Sequence, residues 1–215
     1  MVSRMKGATL TSLALALATL TLNLTAEAQQ SPNARTGLML GVHTVGSQGV
    51  TLEGEEFDQP YQLDSGFGAG VTLGYAFNRT FSSFVSFDVA KQKTKENEAI
   101  EGSYGLGHLE FGVRANLPLG TKAVPYVTGS MGRRALAAKT TDYETGETGD
   151  VAFHGRMIGV GGGIELFFSP NLSIDGGVQL SLGKFDHLTQ DGEDYDLALN
   201  ATKNVRLRLG VTWHP

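Results

Sequence analysis

The chain of 215 residues has no cysteine, one tryptophan and six prolines. Without cysteine there is no disulfide framework, no thiolate metal site, no thiol nucleophile and no cysteine for a lipid anchor. Basic residues are also scarce: 17 Lys and Arg stand against 22 Asp and Glu, a net charge of −5. That balance argues against nucleic acid as a partner, because nucleic-acid binders carry a basic face. Beyond the N-terminal region no apolar run approaches the ~20 residues of a membrane-spanning helix. Glycine, by contrast, supplies 29 residues. No Gly-X-Y period accompanies it, so the excess is not collagen-like.

Met1–Ala28 reads as a secretory signal peptide. Arg4 and Lys6 form a positive start, Leu10 to Leu24 is mainly apolar, and Ala26-Glu27-Ala28 is a small-x-small cleavage site. Residues 29–35 follow as a short polar extension, and 36–215 as one domain.

That domain alternates with period 2. From His108 to Leu117, the positions Leu109, Phe111, Val113, Ala115 and Leu117 interleave with His108, Glu110, Gly112, Arg114 and Asn116. Val205 to His214 repeats the pattern, as do 67–77 and 172–183, and stretches near 37–46, 81–91, 123–138 and 154–168 resemble them. Period 2 makes one face of a strand apolar and the other polar. The count is eight strands and no helix. Between Val124 and Ala138 the phase is blurred by Pro125, Gly129 and Gly132. The connections alternate too. Those near 78–80, 118–122 and 169–171 are short. Those near 47–62, 92–103, 139–151 and 184–200 are long and hold most of the acidic residues, among them Glu53, Asp142, Asp186 and Asp194. Short turns on one rim and long loops on the other are the layout of an up-and-down barrel.

Alternation does not by itself say which face points inward. A soluble lipocalin-like barrel would bury the apolar face around an apolar ligand; a transmembrane barrel would turn it outward. The polar face is rich in Gly, Ser, Ala and Thr, which suits a narrow interior. Aromatic residues gather at the short-turn rim: Tyr75, Phe77, Phe81, Tyr126, Phe167, Phe168 and Trp213. Such a girdle belongs at a membrane–water interface. The expected fold is therefore all-β, a closed eight-stranded antiparallel up-and-down transmembrane β-barrel.

Signal peptide, eight alternating strands, alternating turns and a last strand reading Arg-Leu-Gly-Val-Thr-Trp together resemble the OmpA/OmpX/opacity-type outer-membrane barrels. The resemblance implies a monomer in the outer membrane of a Gram-negative-type bacterium. Its implied partners are outer-membrane lipid, lipopolysaccharide and the assembly machinery that reads the last strand. Here His214-Pro215 follow Trp213, where the family usually ends on an aromatic residue. A structural or surface-interaction role is expected, with four acidic loops outside.

Catalytic and metal motifs are wanting. The five histidines show no His-x-x-x-His spacing, so no metal and no cofactor is expected. Gly159-Val-Gly161-Gly162-Gly163 does not continue as a nucleotide loop. Asp191 to Asp196 lacks the spacing of a Ca²⁺ loop. A lipid A-modifying enzyme is the alternative function, drawing on His187 with Asp186 and Thr189, or on His154 with Ser130. Finally, Asp88, Glu110, Arg114, Glu165, Asp175, Arg206 and Arg208 share the polar phase and should pair inside the barrel. Arg208 is expected beside Glu165 and Asp175. Asp88, Glu110 and Arg114 should form a second group, with Arg206 reaching across the lumen.

Overall fold

The computed structural model describes residues 36–48, 51–52, 61–62, 64–93, 103–117, 119, 122–141, 148–190, 193–196 and 202–215. The segment read as a signal peptide and extension, and several of the acidic loop residues, lie outside them. Eight long strands form the wall: β1 (Gly37–Ser47), β4 (Gly66–Ala76), β5 (Phe81–Lys93), β6 (Ser103–Asn116), β7 (Ala123–Thr141), β8 (Thr148–Ser169), β9 (Leu172–Gln190) and β11 (Thr202–Trp213). Three small strands, β2 (Thr51–Leu52), β3 (Tyr61–Gln62) and β10 (Glu193–Asp196), pair beyond the wall, β2 with β3 and β10 with β9. All wall pairings are antiparallel, and β1 with β11 and β8 with β9 complete the ring. Closure leaves no free edge, which a wall in hydrocarbon requires.

The stagger of the ring follows from one rung of paired residues. Starting at His43, it runs through Gly70, Asp88, His108, Arg134 and Gly155 to Phe185. In the other direction it runs through Gly210 to Asp175. The rung thus returns to β9 ten residues from where it left, at 185 instead of 175. Ten residues of stagger in eight strands corresponds to a strand tilt of roughly 40–45°. Every rung therefore climbs the barrel as it goes round.

The faces are inverted relative to a soluble barrel. Val42, Val71, Phe87, Phe111, Met131, Ile158, Val178 and Leu207 point outward and are exposed. Asp88, Glu110, Arg206, Gln179 and Ser181 point inward and are buried. Toward the long-loop rim this arrangement reverses. Val45, Leu106, Leu136 and Phe185 are inward and fully buried, while Arg133, Arg156 and Lys184 occupy the outward phase. The Phe153 and Phe185 rings meet edge to face at 6.1 Å in this upper layer. The wall thus has an apolar outside around most of its height and an apolar inside at the top.

One expectation needs correction here, and one open point closes. The connections near 139–151 and 184–200 are shorter than the alternation implied, because β7, β8 and β9 run 19, 22 and 19 residues. Asp150, Asp186, Glu193, Asp194 and Asp196 consequently lie on strands, not loops. The blurred phase of β7 is also fixed: Val124, Tyr126, Ser130, Arg134 and Leu136 face inward, and Met131 and Arg133 outward.

Candidate functional site: the charged lumen

Depth from the short-turn rim sorts the interior charges into two groups. Arg114 lies three residues from Leu117, and Asp175 three from Leu172. Glu165, directly opposite Asp175 in the β8–β9 ladder, completes the lower group. The Arg114 guanidinium donates to Asp175 at 2.6 Å and lies 3.4 Å from Glu165. It also stacks on the Tyr126 ring, 3.5 Å from its centroid, while the Tyr126 hydroxyl donates to Asp175 at 3.0 Å. Ser173 donates to Glu165 at 2.6 Å, and the buried His214 ring meets the same carboxylate at 2.9 Å.

The upper group sits about seven residues from the rim. Arg206, with no exposed surface, donates to Asp88 at 2.7 Å and to Ser181 at 2.9 Å and pairs with Glu110. Arg208 donates to the same two carboxylates, at 2.5 Å to Asp88 and 3.2 Å to Glu110. His43 contacts Asp88 at 2.7 Å. Glu110 also accepts from Gln179 at 2.6 Å and from Ser130 at 3.0 Å. Gly70 opens the space for the His43–Asp88 contact, since a methyl there would overlap both Asp88 Oδ1 and His43 Nε2. Gly163 and Gly177 do the same for Tyr126, whose hydroxyl would lie 2.5 Å from a Cβ at either position.

The structure brings all seven sequence-selected charges into the lumen but exchanges two partners. Arg114, not Arg208, serves Glu165 and Asp175; Arg208 joins Arg206 on Asp88 and Glu110. The cause is depth. Arg208 is five residues from Trp213, two further up the wall than Asp175 is from its own rim. His43, Gln179 and His214 also belong to the network, and so does Tyr126, expected at the membrane rim. Polar alternation marks the phase of the first three, but ring and amide types carry no charge signal, and the blurred phase of β7 hides Tyr126.

Five of the seven rim aromatics, Tyr75, Phe77, Phe81, Phe168 and Trp213, face outward and are exposed. Tyr126 and Phe167 do not. Tyr126 is held inside by Asp175 and Arg114, and Phe167 is buried against the His214 ring at 5.1 Å. The catalytic alternatives fare differently from one another. His154 is outward and Ser130 inward, so the wall separates them. His187 lies 3.2 Å from Asp196 and 3.9 Å from Asp186, while Thr189 donates to Asp194 at 2.6 Å. At Asp186 the slight burial would raise the carboxyl, but the Arg156 guanidinium at 3.0 Å holds it below the usual carboxylate range.

Comparison places this architecture among known proteins. The family described as outer membrane protein beta-barrel domain matches residues 12–214. No curated protein matches the chain in sequence. Among solved structures it is similar to Neisserial surface protein A, with 13% identity, 84% of this chain and 98% of that chain covered, and a TM-score of 0.60. It is also similar to Ail, the attachment invasion locus protein of Yersinia pestis, in complex with the heparin analogue sucrose octasulfate. That match has 17% identity, coverage of 83% and 99%, and a TM-score of 0.53. A major outer membrane protein from Thermus thermophilus shares 13% identity over 82% and 98% of the two chains, at a TM-score of 0.52.

Proposed function

The chain belongs to the outer membrane protein β-barrel family, and from that premise we propose that it is a plugged, non-catalytic surface barrel that acts through its long-loop rim. The observation that carries this reading is the excess length of β7, β8 and β9. A spanning strand needs about 9–11 residues, and these have 19, 22 and 19. Their upper halves rise beyond the hydrocarbon as a wall that has nothing to span, so the exposed product of the fold is that wall. The lumen supports the same reading. Two salt-linked layers and the apolar layer of Val45, Leu106, Leu136 and Phe185 follow one another up the lumen and leave between the charged layers a cavity of only about 70 Å³, lined by Arg114, Tyr126, Asp175, His43 and Arg208. A barrel of eight strands is just wide enough for side chains to fill. The short turns face the periplasm and the β7–β9 wall faces outward.

Three measurements test the proposal together. Protease added to intact cells should cut the β7–β8 and β9–β11 connections and spare the turns at Asn78–Thr80 and Ser169–Asn171. Purified protein in planar bilayers should give no steady conductance, and it should not deacylate lipid A. Cleavage of the short turns from outside would invert the orientation, and ohmic conductance would remove the plug.

A further inference from the structure

One inward cation stands outside both charged groups. The rung that sets the stagger of the ring passes from Asp88 through His108 to Arg134, and on through Gly155 to Phe185. It climbs from the upper charged layer into the apolar layer, so Arg134 lies between the two. Leu106, Leu136 and Phe185 line the lumen above it, and its guanidinium rests on the Phe185 ring at 4.5 Å. Arg134 is 2% exposed. None of its three guanidinium nitrogens has a hydrogen-bond partner among the described residues. His108, its direct partner across the β6–β7 ladder, is equally buried, and its Nε2 is also without a partner among them.

The charges at this level do not balance. Asp88 and Glu110 already serve Arg206 and Arg208, and Asp88 also meets the His43 ring. With the histidines uncharged, Arg134 is a third arginine against two carboxylates. Glu165 and Asp175 lie lower and are engaged by Arg114. Arginine cannot shed its proton, so titration does not remove the excess charge. A buried ion without a partner is costly. Whatever neutralises Arg134 carries one negative charge and accepts hydrogen bonds. The guanidinium is placed to donate them: it spends its face on the Phe185 ring and keeps its N–H edge free.

We propose that Arg134 and His108 form a buried site for a small monovalent anion of the halide kind. The guanidinium edge donates to the ion, and His108 donates from Nε2. A dianion does not fit, because it would replace one uncompensated positive charge by one uncompensated negative charge. The ion is then a component of the packed lumen, and its binding stabilises the folded barrel by linkage. The proposal holds whichever rim is extracellular and whatever the rim contacts.

The experiment is urea unfolding of the whole chain in vesicles. Chloride is raised from about 1 to about 300 mM against gluconate, at constant ionic strength so that screening does not change. Gel mobility before and after heating confirms that each variant is folded. The wild-type midpoint should rise with chloride, and above the dissociation constant each tenfold of chloride should shift the folding equilibrium about tenfold. Arg134→Met and Arg134→Gln should respond by less than about twofold over the same range. In gluconate alone, Arg134→Met should be no less stable than the wild type, since nothing there neutralises the guanidinium. His108→Leu should need about tenfold more chloride for the same response, as expected for loss of a hydrogen bond to a charged group. Lys203→Gln, which removes an exposed cation on β11, should follow the wild type. Wild-type crystals grown in bromide should show anomalous density within hydrogen-bond reach of the Arg134 guanidinium, a readout that survives if the variants do not fold. A flat wild-type response, or a response kept by both Arg134 variants, would overturn the proposal and leave water as what meets Arg134. Sulfate acting as strongly as chloride, or an unchanged response in His108→Leu, would overturn it equally.

Discussion

Arg114 on β6 reaches Asp175 on β9 across the lumen, 2.6 Å from nitrogen to oxygen, although β7 and β8 lie between their strands along the wall. With Arg206, which bridges β11 to β5 and β6, it ties opposite sides of the barrel together. Such cross-lumen pairs fix how far the ring can flatten, which ladder hydrogen bonds between neighbours do not.

Removing Arg206 should be more damaging than removing Arg208. Both serve Asp88 and Glu110, but Arg206 has no exposed surface whereas Arg208 is partly accessible. Arg206→Ala should cost about 3–5 kcal/mol by stranding buried carboxylates, measured as urea unfolding in vesicles. Arg208→Ala should cost clearly less, since Arg206 remains on both partners. Equal losses would mean the two cations are interchangeable.

In the lower group the hydroxyl and the guanidinium can be separated. Tyr126→Phe removes one donor to Asp175 but keeps the ring under Arg114, and should cost about 1.5–3 kcal/mol. Arg114→Ala leaves Glu165 and Asp175 side by side without their cation and should exceed that by at least about 1 kcal/mol. A Tyr126→Phe variant as unstable as Arg114→Ala would place the ring position, not the charge, in control.

Arg134 runs the opposite way. It is inward and buried, its three guanidinium nitrogens have no hydrogen-bond partner among the described residues, and it rests on the Phe185 ring at 4.5 Å. An unpaired buried charge is unfavourable. Arg134→Met keeps the packing on Phe185 and should leave stability unchanged or raise it by up to about 2 kcal/mol. A loss above about 1 kcal/mol, seen as a lower urea midpoint, would show that the cation is satisfied in the folded protein.

The outward face can be tested at Leu207, six residues from the end of β11 and exposed. Each residue advances the wall by about 2.4 Å at this tilt, so Leu207 lies near mid-height of the apolar band. Leu207→Arg should cost about 2–4 kcal/mol in a bilayer. The same residue type stands naturally at Arg133, above the band, and Arg133→Leu should therefore change stability by less than about 1 kcal/mol. If Leu207→Arg is tolerated as well as Arg133→Leu, the apolar face does not meet lipid.

Alternation made most of this barrel legible in the sequence. Leu109, Phe111 and Val113 against Glu110 and Arg114 fix a strand, its phase and its inner face without any neighbour being known. What alternation does not carry is height. Arg208 and Arg114 share a phase with Glu165 and Asp175, but only the ten-residue stagger decides which arginine reaches them. The inward turn of Tyr126 and Phe167 is hidden from the sequence for a related reason. Clustering at a rim says nothing of the side of the wall, and the phase of β7 was hidden by Pro125, Gly129 and Gly132. Phase also fails where the surroundings change. Tyr104 and Leu106 continue β6 upward on the polar phase of the strand below, because above the band the apolar side must turn inward.

That reversal has a consequence for unfolding. The upper parts of β7, β8 and β9 are held by Leu136 and Phe185 packed inside them, whereas the part below is held by lipid outside and ion pairs within. The two parts therefore need not open together. The collar should exchange its amide hydrogens as a cooperative unit of its own, faster than the belt beneath it, so that one chain carries two folding units stacked end to end, each obeying the solvent it stands in.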